Sequence, residues 1–594
     1  MSDTPAAAPV SFAEFPAVTT AEWQARLARD LKGQDPATLR WPLPDGFALE
    51  PFYHREALAA LGGPPAPLPR AAAPCLNVPA LHVPPGGNGR AEIDHAAGAL
   101  AAGADGVHFQ LADPEAWDVA YLAAQLPLAR TFVGYTVADG PDQLLARLLA
   151  AAPGAALRGF LRFAPGAVPE GAELSGHREV LRRCVRLAAD MPDFRTLAVN
   201  GAFFGNSGAT ATQQIAFSLN TAAALLAELP TDDLPLAQVA AALHLHVAIT
   251  PSFFPEMAKL RALRRLWATL LHGFGLPAGL NQQLRIHALT SSWTQTTLDP
   301  HTNLLRHTTE AMSAVLGGAD SLSVAPFDYV FARANDFSAR LARNLSVLLR
   351  EEAGLGRVQD PAAGSYFLET LTDELARAAW ALFQRNEAAG GLPAVRAQLL
   401  EDIKAVATDT FRRIASGQQV VVGTNRFQNP RERFDFNPKK LLRSAEFDVT
   451  RATYPAEVLR LATALHFERR EKKSKRAAVV LLGANTNQLI LETFVNLLQA
   501  HERPEIAASH PEGTLSLLYS SPEEATLMYA TPEQFANFAR FIYKIPTDRQ
   551  VFIPPALLSA DLPTLQEAVR VFGFQEMKVQ GYTTEEVLAR IQGR

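Results

Sequence analysis

His244 and His246 stand two apart in LHLHVAIT (243–250). That spacing puts both imidazoles on one face of a β-strand, as a two-histidine metal site needs. No carboxylate pattern accompanies them, so packing or polar lining of an interior is favoured and no metal is expected. His301 and His307, in and just after DPHTN (299–303), suit helix-end or packing roles. Cys75 and Cys184 lie far apart with no C-x-x-C spacing, which supports neither a disulfide scaffold nor a thiolate zinc site.

NGAFFGNSGAT (200–210) is where chemistry is expected and the residue types do not supply it. The stretch follows apolar RTLAV (195–199) and runs into helix-like TQQIAFSLNTAAALLAEL (212–229). A strand-to-helix loop of this kind commonly carries the reactive groups of an α/β enzyme. This one holds no acid, base, nucleophile or strong metal ligand. It holds two adjacent phenylalanines, Phe203 and Phe204.

The elements that would position these residues repeat along the chain. Eight strand-like segments, 76–82, 104–111, 131–138, 156–163, 195–202, 243–250, 284–289 and 320–325, alternate with alanine- and leucine-rich helical stretches. Eight β–α units in roughly 250 residues predict an α/β fold of (β/α)8 TIM-barrel type, with the working end at the loops after the strands. A doubly wound open sheet is the alternative, but no G-x-G-x-x-G follows the first strand. PEMAKLRALRRLW (255–267) reads as an amphipathic helix with i,i+4 charge partners.

The predicted organisation is an N-terminal arm over 1–70, a barrel with C-terminal helices over 71–415, a linker over 416–476 and a flavodoxin-like domain over 477–594. The arm contains a helix at 19–33, where Thr19 or Thr20 caps the start and Gly33 the end. The linker is mostly helical and ends in the basic run RREKKSKR (469–476), a solvated stretch by composition. AAVVLLG (477–483) and the βα alternation after it, through 514–520 and 549–555, carry the last assignment.

The whole chain has 594 residues, 48% hydrophobic and 19% charged, which is enough to build more than one core. A net charge of −5 argues against nucleic acid as the partner. No apolar run approaches the roughly 18 residues needed to span a bilayer. The opening MSDTPAAAPVSFAEF lacks the basic start and apolar core of a signal peptide, so a cytoplasmic protein without a membrane partner is expected.

Longer blocks carry a resemblance. SFFPEMAKLRALRRLW (252–267), SSWTQTTLDPHTNLLRHTTEAMSAVLGGADSLSVAPFD (291–328) and DPAAGSYFLETLTDELA (360–376) resemble the methylmalonyl-CoA mutase family, as do 337–355, 420–427 and 15–33. The resemblance covers most of 11–430. It implies an N-terminal arm, a barrel that threads acyl-CoA along its axis and a flavodoxin-like cobalamin domain. The implied activity is the adenosylcobalamin-dependent radical interconversion of methylmalonyl-CoA and succinyl-CoA.

Against that family the functional positions are altered. Catalytic members read Ser-Gly-Tyr-His-Met-Gln-Glu-Ala-Gly-Ala-Thr after the fifth strand, and this chain has Ala202 and Phe203 in place of the Tyr and His. Neither side chain forms a hydrogen bond. In RIHALTSSW (285–293) Arg285 and His287 remain, as a vestigial CoA contact or as internal polar ties, while the family's glutamine has become Leu289. The Thr-x-Gln-Asn-Asp segment after the fourth strand is absent, and only Arg70 survives of the stretch leading into the first strand. Where a cobalamin domain presents Asp-x-His-x-x-Gly, this chain has Asn485, Asn487 and Ile490. An amide is a far poorer cobalt ligand than imidazole.

The expectation is therefore a non-catalytic small subunit with no bound cofactor, in a heterodimer whose catalytic large subunit holds adenosylcobalamin. Its barrel axis is expected to be plugged by bulky side chains such as Phe203. The competing readings are a competent acyl-CoA mutase with altered residues and a stand-alone regulatory protein that binds CoA esters.

Overall fold

The computed structural model describes residues 18–63, 74–164, 174–332, 335–415, 418–427, 451–454 and Glu457, with short pieces at 550–551 and 578–579. Helix α1 (Thr20–Asp30) opens with a capping box. The Thr19 hydroxyl accepts the Glu22 N–H at 3.2 Å and the Glu22 carboxylate accepts the Thr19 N–H at 2.8 Å. An antiparallel pair, β1 (Trp41–Pro42) and β2 (Ala48–Leu49), and helix α2 (Arg55–Ala60) follow.

The expected β–α alternation is present. In chain order come β3 (Leu76–Asn77), β4 (Ala80–Val83), α3 (Arg90–Ala101), β5 (Gly106–Leu111), α4 (Val119–Gln125), β6 (Phe132–Val137) and α5 (Pro141–Ala151). Then follow β7 (Arg158–Phe163), α6 (Leu174–Leu187), β8 (Phe194–Arg195), β9 (Leu197–Asn200), α7 (Gly201–Asn206), α8 (Ala211–Glu228) and α9 (Leu236–Ala242). The series ends with β10 (Leu243–Ile249), α10 (Phe253–Gly273), β11 (Ile286–Thr290), α11 (Thr302–Leu316) and β12 (Ser321–Ser323), before helices α12 (Asp336–Glu351), α13 (Tyr366–Ala388) and α14 (Gly391–Ala415).

All barrel-type strands pair in parallel, in two five-stranded ladders ordered β4-β5-β6-β7-β8 and β3-β12-β11-β10-β9. Only Val78 and Pro79 separate β3 from β4, and only Thr196 separates β8 from β9. Each end of one ladder thus continues into an end of the other through the chain itself. The interruptions are bridged: the Val78 N–H donates to Leu322 O at 2.9 Å and His108 N–H to Pro79 O at 2.9 Å. This is a TIM-barrel-like α/β architecture. Most of its strands are buried on both faces, with every residue of β10 buried, as parallel strands covered by helices require, whereas β4 leaves Ala80 and His82 exposed.

Two expectations need correction. The stretch 200–210 is not all loop, because α7 occupies Gly201–Asn206. The Asn200 side chain caps it by accepting the Phe203 N–H at 3.1 Å. Helix α10 is not an amphipathic helix with a solvated charged face. Glu256, Lys259, Arg261 and Arg264 are all buried, and they pair inward. Lys259 Nζ lies 2.5 Å from the Glu256 carboxylate and donates to Ala248 O at 2.6 Å; Arg261 pairs with Asp360 and Glu369, and Arg264 with Asp320. A buried ion needs a partner close by, and the neighbouring elements supply each one.

The region expected to form a flavodoxin-like domain lies outside the described residues, apart from β13 (Gln550–Val551) paired in parallel with β14 (Lys578–Val579). Among the described residues no helix is long and apolar enough to cross a membrane.

Candidate functional site

Residues paired across a parallel ladder share a face, so the strand register defines the inner surface. On one ladder His108 pairs with Gly134, Gly134 with Phe160, and Phe160 with Arg195. On the other, His246 pairs with Asn200 and His287, and His287 with Ser321. The two faces meet. The Phe160 ring centroid lies 5.0 Å from that of His108, 5.2 Å from His244, 4.7 Å from His246 and 4.9 Å from His287. One phenyl ring from β7 is therefore surrounded by four imidazoles from β5, β10 and β11.

All five rings are at most 2% exposed. The space for Phe160 comes from Gly134, where an added Cβ would lie 2.4 Å from Phe160 Cζ. His287 Nδ1 shares a hydrogen bond with Ser321 Oγ at 2.8 Å, and His108 Nε2 with Thr136 Oγ1 at 2.7 Å. Among the described residues His246 has no hydrogen-bond partner on either ring nitrogen. Burial first, then the positive charge of neighbouring imidazoles and Arg162, holds His108, His244 and His246 well below the ordinary histidine range. Burial and Arg162 push His287 down to about 3. The imidazoles are neutral at physiological pH and act as packing groups, several of them edge-on to a neighbouring ring. Among the described residues no group of three or more His, Cys, Asp or Glu is arranged to hold a metal ion.

The residues singled out from the sequence are dispersed around this centre. His244, His246 and His287 belong to it. Ala202 is buried on α7. Phe203 is not the plug: it is half-buried and its ring contact is with Phe204, at 5.7 Å. The bulky ring among the imidazoles is Phe160, which together with His108 escaped the sequence reading. Leu289 is half-buried on β11, in register with Ala248 and Ser323. Arg285 is half-buried just before that strand. His301 is exposed and stacks on Phe327 at 5.0 Å, whereas His307 is fully buried in α11, where burial and Arg306 lower it to about 3. Arg70, Asn485, Asn487 and Ile490 lie outside the described residues.

Two loops that follow strands are tied directly together. Asn206, at the end of α7, accepts from Ser291 Oγ at 3.0 Å and from the Ser292 N–H at 3.1 Å. The glycines of 200–210 serve close packing. A Cβ on Gly201 would lie 2.5 Å from Ser218 Oγ, and one on Gly208 2.7 Å from Trp293. The segment after the helices then covers the β11 loop. Ala452 N–H donates to Trp293 O at 2.9 Å, Thr453 Oγ1 to Gln295 O at 2.8 Å, and the Thr297 N–H to Glu457 at 3.0 Å.

Comparison with known proteins agrees with this architecture. The family model described as methylmalonyl-CoA mutase matches residues 176–497. A methylmalonyl-CoA mutase small subunit of Porphyromonas gingivalis is 31% identical over 507 residues, covering 79% of this chain and 80% of that one. A methylmalonyl-CoA mutase of Rhizobium meliloti is 40% identical over 248 residues, 41% of this chain and 34% of its own length. A methylmalonyl-CoA mutase large subunit of Propionibacterium freudenreichii is 37% identical over 247 residues, again 41% of this chain and 33% of that one. By the family match over more than half its length and the small-subunit match over most of it, the chain belongs to the methylmalonyl-CoA mutase family.

Proposed function

We propose that this chain is the non-catalytic small subunit of a methylmalonyl-CoA mutase and stabilises a catalytic large subunit as its heterodimeric partner. The large subunit holds adenosylcobalamin, the acyl-CoA and the reacting side chains. In this reading the two ladders close into a (β/α)8 barrel over 71–415, between an arm over 1–70 and a linker over 416–476, and 477–594 form a degenerate cobalamin-type domain.

The observation that carries the reading is Phe160 among four imidazoles, with centroids 4.7–5.2 Å away. An acyl-CoA arm running along the axis would have to displace close-packed buried rings, and interiors at crystal-like density have no room for it. Ala202, Phe203 and Leu289 add to it, because none can donate a hydrogen bond to a thioester or carboxylate. A fold outlives its site when the surface it offers is still used.

Co-expression with the large subunit from the same source tests the proposal. A 1:1 complex that turns over methylmalonyl-CoA is expected. The isolated chain is expected to show no turnover and no cobalamin spectrum after desalting. Turnover by the isolated chain, or failure to form any complex, would sink it.

A further inference from the structure

A continuous series of contacts runs from a segment beyond the barrel helices down to α7. Its outer link is the stretch 451–454 together with Glu457. Arg451, Ala452, Thr453 and Glu457 are each at most 3% exposed. The Ala452 N–H donates to Trp293 O at 2.9 Å, and Thr453 Oγ1 stands 2.8 Å from Gln295 O and 2.6 Å from Glu457 Oε1. Glu457 pairs with Arg451 and accepts the Thr297 N–H at 3.0 Å. Residues 293, 295 and 297 of the loop after β11 thus each have a backbone group bound to this one segment.

The middle link is Trp293. Its side chain belongs with Ala407 and Ile414 of α14 and with Ala452 to a small core separate from the one that fills the barrel. The Phe411 ring packs on it, with centroids 5.5 Å apart. The inner link is Ser291, whose hydroxyl accepts the Trp293 N–H at 3.2 Å and donates to Asn206 Oδ1 at 3.0 Å. Asn206 ends α7, a helix of six residues, two of them glycine. So short a helix does not persist on its own hydrogen bonds, because nucleation costs more than one turn returns. Its end is held by the β11 loop, and that loop is held in turn by 451–454 and Glu457.

We propose that 451–454 and Glu457 form a latch over Trp293, and that opening it releases the β11 loop and the end of α7 together. The three links are one cooperative unit that opens below global unfolding. Two strand-end loops of the barrel therefore take their order from a segment outside it. This inference rests on the contacts and not on the subunit assignment.

Native-state hydrogen exchange of the full chain, read by peptide mass spectrometry across a urea series, tests it. In wild type the amides of 203–209 and 294–297 are expected to open with one free energy and one urea slope, both smaller than those of β10. Thr453→Val keeps the shape and removes the hydroxyl. It is expected to speed exchange in both stretches by the same factor, about tenfold for one lost buried hydrogen bond, and to leave α3 unchanged. Asn206→Ala, at the other end of the series, is expected to speed 294–297 as well, since coupling is reciprocal. If Thr453→Val does not fold, Asn206→Ala read at 294–297 decides alone. Different urea slopes for the two stretches, faster exchange confined to the stretch nearest the substitution, or a rise that includes α3 would overturn the proposal.

Discussion

The imidazole of His246 meets the ring of Phe160 at 88°, with centroids 4.7 Å apart, and this contact joins β10 to β7. Those strands belong to different ladders. The edge-to-face geometry suits the negative face and positive edge of an aromatic ring and holds the two sheets against each other.

Phe160→Ala should therefore lower stability by about 3–5 kcal/mol, the usual cost of emptying a buried phenyl site. It should not create acyl-CoA turnover, because Ala202, Phe203 and Leu289 remain unable to hold a substrate by hydrogen bonds. Urea unfolding and a mutase assay on the same preparation check both halves.

Stability should fall as pH drops below about 6.5, the unfolded histidine value. His108, His244, His246, His287 and His307 are all held below that value in the fold, by burial first. Below it the unfolded chain binds more protons than the folded one. Each histidine then removes up to about 1.4 kcal/mol per pH unit. Denaturation at pH 7.5, 6.0 and 5.0 measures the slope, and His244→Leu with His246→Leu should flatten it. An unchanged slope in that double variant would refute the assignment.

Gly134→Ala should destabilise by about 1–3 kcal/mol through overpacking, since its Cβ would meet Phe160 Cζ at 2.4 Å. Adding Phe160→Leu should recover part of the loss. A double-mutant cycle reads the coupling, and strict additivity would show that the two residues do not compete for space.

Glu457→Gln should cost about 3–5 kcal/mol by breaking the buried ion pair between Arg451 and Glu457. Burial alone would raise the Glu457 carboxyl; Arg451, Thr453 and the Thr297 N–H outweigh it and hold it below the usual range. Hydrogen exchange should speed up at Thr297, whose N–H Glu457 accepts at 3.0 Å. Equal protection in both proteins would mean the segment does not pin that loop.

Much of the architecture was legible in advance because its signals are local. All eight predicted strand segments contain strands, and the Thr19 cap and its helix appear where side-chain chemistry demands them. The burial of Lys259, Arg261 and Arg264 was not legible. Charged residues in a helix read as a wet face unless partners such as Asp360, Glu369 and Asp320, far away in sequence, are known to meet them. Helix α7 hid for a similar reason. Glycine-rich GAFFGN has poor helix propensity, and its helix rests on the Asn200 cap and on packing against α8 and β10.

By itself the sequence determined the β–α order and the family, because these are properties of residue type and local spacing. Tertiary structure alone decided that Phe160 and not Phe203 stands among the histidines. Alternation with period two shows that Phe160 and Arg162 share a face, but in a strand buried on both sides it does not say which face is inner. That choice is made when strands from opposite ladders come together and Phe160 finds His246 across the interior.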